Sequence, residues 1–327
     1  MFGTIQRMRH GHLIIGLLVG VLLVTQPAKA QYTANYQTNI ISGVISNWAG
    51  NYVVGSNTFA NALLVRNGGV LTNADGYVGY LPASSSSYVM VAGVGSVWSN
   101  ANMYVGFSGG GNTMVISNAG RVANSLGTYV AYGDSSSSNR VLVTGTNSIW
   151  NCANSLSLGL AGPGNSMVIS NGGRVNNTYS ELGNEISSTG NSVLVTGPGS
   201  TWTNMGTLTI GRVGGGNKMT ISKGGRGFST YATLGTFDMA GNNSILVTDT
   251  NSLWDDSAEA SDINIGLNSS GNSLIVTNGG KVLGYYAYFG RRACGNNTAL
   301  VTGPGSIFSV NCYIYTGNEG NDNSYHF

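Results

Sequence analysis

The sequence predicts an all-β protein, a single-stranded parallel β-helix (β-solenoid) with about 26 residues per coil and a 52-residue double-coil repeat. Composition is the first reason. Gly makes up 51 of 327 residues, charged residues only 8% and hydrophobic residues 41%. That excludes a charge-rich disordered chain and a long coiled coil, and it supplies apolar material for a core. The second reason is a file of large aromatics. Trp48, Trp98, Trp150, Trp202, Trp254 and Phe308 are spaced 50, 52, 52, 52 and 54 residues apart, and all five tryptophans fall in the series. The third is that each 52-residue period divides into two similar halves. Asn165-Ser166-Met167-Val168-Ile169-Ser170 aligns with Asn191-Ser192-Val193-Leu194-Val195-Thr196. Repeats of fixed length that cannot bury an apolar face alone are expected to stack.

The elements follow in chain order. Residues 1–30 read as a secretory signal peptide. Arg7 and Arg9 precede an apolar run from Leu13 to Val24, and Ala28-Lys29-Ala30 fits the cleavage pattern. A run of 12 residues spans only about 18 Å as a helix, too short to cross a membrane. No later segment is long and apolar enough to be a transmembrane helix. The leader holds three of the fourteen basic residues and none of the twelve acids. The remainder therefore carries 11 against 12, a net charge of −1. No basic patch calls for nucleic acid or anionic lipid.

The repeat domain is expected over 31–316, with 317–327 as a C-terminal tail or truncated repeat. Units begin near residues 37, 61, 87, 112, 139, 165, 191, 217, 243, 272 and 297. Each opens on a short β-branched or aliphatic run, such as Met167-Val168-Ile169, bounded by Asn and Gly. A hydroxyl follows in eight consecutive units, from Ser117 through Thr302. Odd units then close on the phrase Gly/Asn-Ser-x-Trp, and even units on Asn-Gly-Gly or a variant. In the Trp units a second strand follows, such as Leu156-Ser157-Leu158-Gly159 or Leu208-Thr209-Ile210-Gly211. The variable segments lie at or just before unit starts, which predicts one loop edge. Stacked coils place equivalent residues in columns, so Asn, Ser and Thr can form hydrogen-bonded ladders. The competing fold is a β-propeller with 52-residue blades; its strands would not be duplicated within a blade.

The recurring phrases G-S-x-W, L-x-I-G and N-G-G-x-V resemble the autotransporter (type V secretion)/PEP-CTERM-associated repeat of bacterial secreted proteins, over roughly residues 37 to 316. The resemblance implies a parallel β-helical, passenger-like rod outside the cell. Passengers of that class continue into a C-terminal membrane β-barrel, and PEP-CTERM proteins end in a Pro-Glu-Pro anchor. Here the sequence ends after a last partial repeat, on the aromatic Phe327, so the expectation is a fragment or a passenger without those parts.

Chemistry is sparse. The acidic cluster Asp255, Asp256, Glu259 and Asp262 lies in the longest unit and is the candidate for a cation site or for the acids of a polysaccharide lyase or hydrolase. A solvated loop is the competing reading. His10 and His12 fall in the leader, so His326 is the lone histidine left as a catalytic base or zinc ligand. Cys152, Cys294 and Cys312 show no metal-type spacing, and the pairing of Cys294 with Cys312 stays open. No cofactor and no metal is expected. The Trp file and a second file, Tyr77, Tyr129, Tyr179, Tyr231 and Tyr286, either pack in the core or form a carbohydrate-stacking platform. One hydroxyl column falls short of the paired columns an ice-binding face requires. The functional expectation is an exported, non-catalytic structural or adhesive surface protein presenting loops along a rod. The alternatives are a polysaccharide-acting enzyme with acids near Asp255 to Asp262, or a glycan-binding module. Surface glycans, other surface proteins and end-to-end self-association are the partners considered.

Overall fold

The computed structural model describes residues 32–292, 294–317 and 322–326; the leader lies outside them. The described chain contains strands and turns and no helix. Eleven coils run from Thr38 to Thr316, and Ser324–His326 begins a twelfth. Each coil contributes one strand to a first file, a single 12-stranded sheet, and two shorter strands to a second and a third file. The sixth coil shows the plan. Ser166–Ser170 lies in the first file, and Arg174–Leu182 passes through the second and third without a break. Pairing is parallel throughout and always with the next coil, as in Ser166↔Ser192 and Ser192↔Lys218. This is the β-solenoid the repeat predicts, with register partners 26 residues apart; antiparallel propeller blades are excluded. At about 4.8 Å per coil the stack is roughly 50 Å long.

Alternation decides what is buried. In the first file the second and fourth residues point inward. Met167, Ile169, Val193, Val195, Ile245 and Val247 are all buried. The large aromatics enter from the second file. The phrase G-S-x-W that closes the odd units leads into this file, and its Trp lies inside a strand, as in Thr201–Asn204. Trp98, Trp150, Trp202 and Trp254 are buried, and Phe308 nearly so. Between them, even coils place Val122, Val175, Gly227 and Val282 in the same column. In this interior column a large ring and a smaller residue alternate coil by coil, filling the space between the files. This is the packing origin of the 52-residue period.

Trp48 does not stand in that column. Leu71 of the second coil pairs with Trp98 on one side and with Ser46 on the other, so Trp48 sits two residues past the column position. It packs edge-on against Tyr52, at 5.5 Å between centroids. Tyr52 and Tyr32 are buried, and the Tyr32 hydroxyl donates to the carbonyl of Ala62 at 2.7 Å. These rings join the core at the first described coil.

Even and odd coils complete each other at the corners. After the first file, even coils turn on Asn-Gly-Gly. In the sixth coil a Cβ on Gly173 would lie 2.3 Å from the Val143 carbonyl oxygen of the coil before, so only Gly fits. The N–H of Gly172 is accepted by Ser200 of the following G-S-x-W phrase at 3.0 Å. The same bond joins Gly68 to Ser96, Ala119 to Ser148, Gly224 to Ser252 and Gly279 to Ser306. The indoles repeat the logic. Trp98, Trp150 and Trp202 donate to Asn73, Asn124 and Asn177 of the preceding even coil at 2.7–2.8 Å, and Trp254 donates to Ser229 at 3.0 Å.

The corner that closes each coil carries a continuous ladder. Asn112, Asn139, Asn165, Asn191, Asn217, Asn243, Asn272 and Asn297 are fully buried. Each donates its backbone N–H and its side-chain amide to the Oδ1 of the next. For Asn165 onto Asn191 these bonds are 2.8 and 2.9 Å. The L-x-I-G glycine roofs this ladder: Gly159, at φ +74°, would place a Cβ 2.3 Å from the Asn191 amide. At the N-terminal side Ser87 replaces the asparagine, so the Asn61 amide meets no Oδ1 there and donates instead to the Ala34 carbonyl and the Thr58 hydroxyl.

Two outcomes follow from the ladder. Asn191→Ala strands both Asn165 donors in the interior and should cost about 3 kcal/mol or more in urea denaturation; a loss below about 1 kcal/mol would show that the ladder carries little stability. Ser87→Asn extends the ladder to Asn61, beneath a corner glycine that already leaves room, and should add about 1 kcal/mol.

Candidate functional site

The second strand of the ninth coil, Leu253–Asp256, and the loop after it carry the sequence's acidic cluster. Strand alternation splits it. Asp255 faces out and accepts from the backbone N–H and hydroxyl of Ser257, at 3.1 and 2.6 Å. Asp256 faces in and is fully buried. Glu259 is exposed on the loop. Asp262 is held by Arg291 of the next coil at 2.6 Å. The four acids therefore do not converge. Among the described residues, no three His, Cys, Asp or Glu side chains stand close enough to hold a metal ion.

Asp256 occupies the corner column that Asn124, Asn177 and Asn204 fill in earlier coils. Neither of its carboxyl oxygens has a hydrogen-bond partner. Burial pushes its pKa up to about 7, the Ser229 hydroxyl pulls it down, and the neighbouring charges of Asp255 and Asp262 push it further up. An acid raised in this way is a recurring feature of active sites. Here it faces core, while Asp255 points to the other side of the strand and Asp262 is paired with Arg291.

The cysteines are all free: Cys152 and Cys294 buried, Cys312 exposed. Cys152 takes the asparagine position of its column, and burial drives its thiol up to about 12, far from a nucleophile at neutral pH. His326 lies in Ser324–His326, the last described strand of the first file, and no acid or nucleophile among the described residues is hydrogen-bonded to it.

The tryptophans of the column are buried with their indole N–H groups already bonded, so they offer no platform to a sugar. The tyrosine file of the sequence separates into two. Tyr77 and Tyr129 share an outward column with Tyr104, which the 52-residue spacing skips. Tyr179, Tyr231 and Tyr286 lie two residues earlier, in the column of Ser155, Thr207 and Asp262. Tyr77, Tyr104 and Tyr129 stack at 4.7 and 5.1 Å. Beside them Tyr80, Phe107 and Tyr132 form a second stack at 5.1 and 4.8 Å. Rings stacked coil upon coil spend their faces on one another. The first file carries a second hydroxyl column as well, including Ser166, Ser192, Ser244 and Ser273. An aliphatic column (Val168, Leu194, Leu246, Ile275) separates it from the one visible in the sequence.

A concavity of about 550 Å³ lies where the second and third files meet, over the second to fifth coils. Its walls are small residues, alanines interleaved with short polar side chains: Ser99, Ala101, Ala123, Ser125, Asn151 and Ala153. Further along, Asn176 donates to Asn151 at 2.8 Å on the same outer surface.

No family model matches the sequence, and no curated protein matches it. Among solved structures the chain is similar to the crystal structure of a TibC-catalyzed hyper-glycosylated TibA fragment. The identity is 13% and the TM-score 0.36, over 90% of this chain and 99% of that one. A likeness this distant carries no function across.

Two measurements test the site. Asp256 has a folded pKa above its ordinary 3.8, so its contribution to stability is fully present below pH 4 and is lost as pH rises toward 7. Asp256→Asn should therefore raise stability at pH 8, by up to about 4 kcal/mol, and make little difference at pH 4. The intrinsic fluorescence should be blue-shifted by the buried indoles and unmoved by added oligosaccharides; a shift on titration would mean that an indole is accessible.

Proposed function

We propose that the chain is an exported, non-catalytic structural or adhesive protein, a rigid rod that presents its outer files and loops outside the cell. The observation that carries this reading is the unbroken stack. The core column and the Ser–Gly corner bonds run from the first coils to the last, and the asparagine ladder from the fourth coil onward, without a lid, a domain boundary or an interior cleft among the described residues. Such a scaffold holds surface residues at fixed spacing over tens of ångströms, which suits presentation and attachment. The expected leader and the resemblance of the repeat to autotransporter passengers point to the same place, the cell surface or the extracellular space.

The polysaccharide-acting alternative needs two carboxylates facing one substrate. Asp255 and Asp256 face opposite sides of their strand, and Asp262 is paired with Arg291. The test is direct. Purified protein lacking residues 1–30 should give a β-sheet circular dichroism spectrum and release no reducing ends or unsaturated products from a panel of neutral and acidic polysaccharides. Turnover of any of them would overturn the reading.

A further inference from the structure

The first outward residue of the second-file strand is basic in four successive even coils: Arg121, Arg174, Arg226 and Lys281. The sequence conceals this. The four are more than 50 residues apart along the chain, and the net charge is close to zero. Stacking brings them into one file. Arg121 and Arg174 both pair with Ile149, Arg174 and Arg226 both with Thr201, and Arg226 and Lys281 both with Leu253. All four are exposed, and among the described residues none makes a salt bridge or a side-chain hydrogen bond. The one acid in the adjoining outward column of these strands, Asp255, is already engaged by Ser257.

We propose that this file binds a linear acidic polysaccharide lying along the rod axis, with anionic groups meeting the cations of alternate coils. The proposal deepens the adhesive-rod reading and rests on it. Three observations select the ligand class. The first is pitch. Two coils are about 9.6 Å, so the file matches a polymer with roughly one charge in that length. Nucleic acid carries one charge per ~1.7 Å as a duplex and per ~3.4 Å as a single strand, far denser than the file. The second is the surface beside the cations. Two residues on along the strands of the fourth to seventh coils stand Ala123, Asn151, Asn176 and Thr203, small groups and hydrogen-bonding amides or hydroxyls suited to sugar hydroxyls; beside Arg226 and Lys281 the same column continues as Phe228, Asp255 and Leu283. The third is shape. Ala123 and Asn151 also wall the 550 Å³ concavity, so at the fourth and fifth coils the file borders a trough that a strand of sugar can enter and a flat bilayer cannot. Between the cations, Ile149 and Leu253 offer aliphatic contact to the C–H faces of pyranose rings. Each cation is a weak contact alone; a rigid file makes the later contacts intramolecular.

The test uses affinity electrophoresis and titration with hyaluronate, which carries one carboxylate per disaccharide, as the acidic probe. Its methyl-esterified form serves as the neutral control, with a deoxythymidine oligomer and phosphatidylserine vesicles as the other polyanions. Wild-type protein should bind hyaluronate at low salt, lose affinity as salt rises, and ignore the ester. The triple variant R121Q/R174Q/R226Q should bind about tenfold or more weakly, with unchanged circular dichroism. The triple variant R66Q/R140Q/K218Q removes the same charge from the first-file face and should bind within about twofold of wild type. Equal loss in both variants, equal binding of the ester, tighter binding of the oligomer or the vesicles, or no binding at low salt would each overturn the proposal. None of these results touches the non-catalytic reading, which falls only if the polymer is turned over.

Discussion

In a β-helix each coil must land on the one before it in one register only, because a slip of one residue along a strand turns its whole apolar set outward. Backbone pairing alone does not enforce this; it is nearly the same at every register. The buried asparagine ladder does. From Asn112 to Asn297 each amide finds its acceptor only if the corner of the next coil arrives in phase. An amide that misses leaves two donors and an acceptor in a dry interior. The ladder thus converts a permissive stack into a specific one, and the glycine above each rung makes room for it.

The second constraint acts at twice that period. Trp and Ser come from one coil, and the Asn-Gly-Gly corner and the indole's acceptor from the coil before it. The double coil is therefore the smallest piece in which the corner and indole bonds described are satisfied. The column departs from the rule in places, and each departure leaves a mark. Cys152 stands where an asparagine is expected, and the Nδ2 of Asn124 and the Oγ1 of Thr128 lack partners. Asp256 does the same four coils later and is left with two bare oxygens.

Much of this was legible in the residues. The period, the coil length, the inward aliphatic pairs and the corner role of Asn-Gly-Gly all follow from spacing and turn chemistry. What spacing could not show was phase. Trp48 fits the count within two residues, and two residues is the distance from a column to its neighbour on the same face. Tyr77 and Tyr179 fit a 52-residue rhythm yet stand in different columns, because loops between them differ in length. The acids of the ninth coil are adjacent in sequence and dispersed in space, since neighbouring strand residues face opposite ways. The cation file has the reverse fate: distant in sequence and aligned in space, it was invisible until the coils were stacked.

The rings of Tyr32, Trp48 and Tyr52 mark out the first described coil from the rest. Nearly every tertiary contact beyond them joins residues about 26 positions apart, so the chain has no long loop to close at any stage. A rod built this way can assemble by accretion, each new lap copying its predecessor as it leaves a pore or a ribosome. Under tension along the chain it should peel lap by lap, paying out about 90 Å of extended chain per lap.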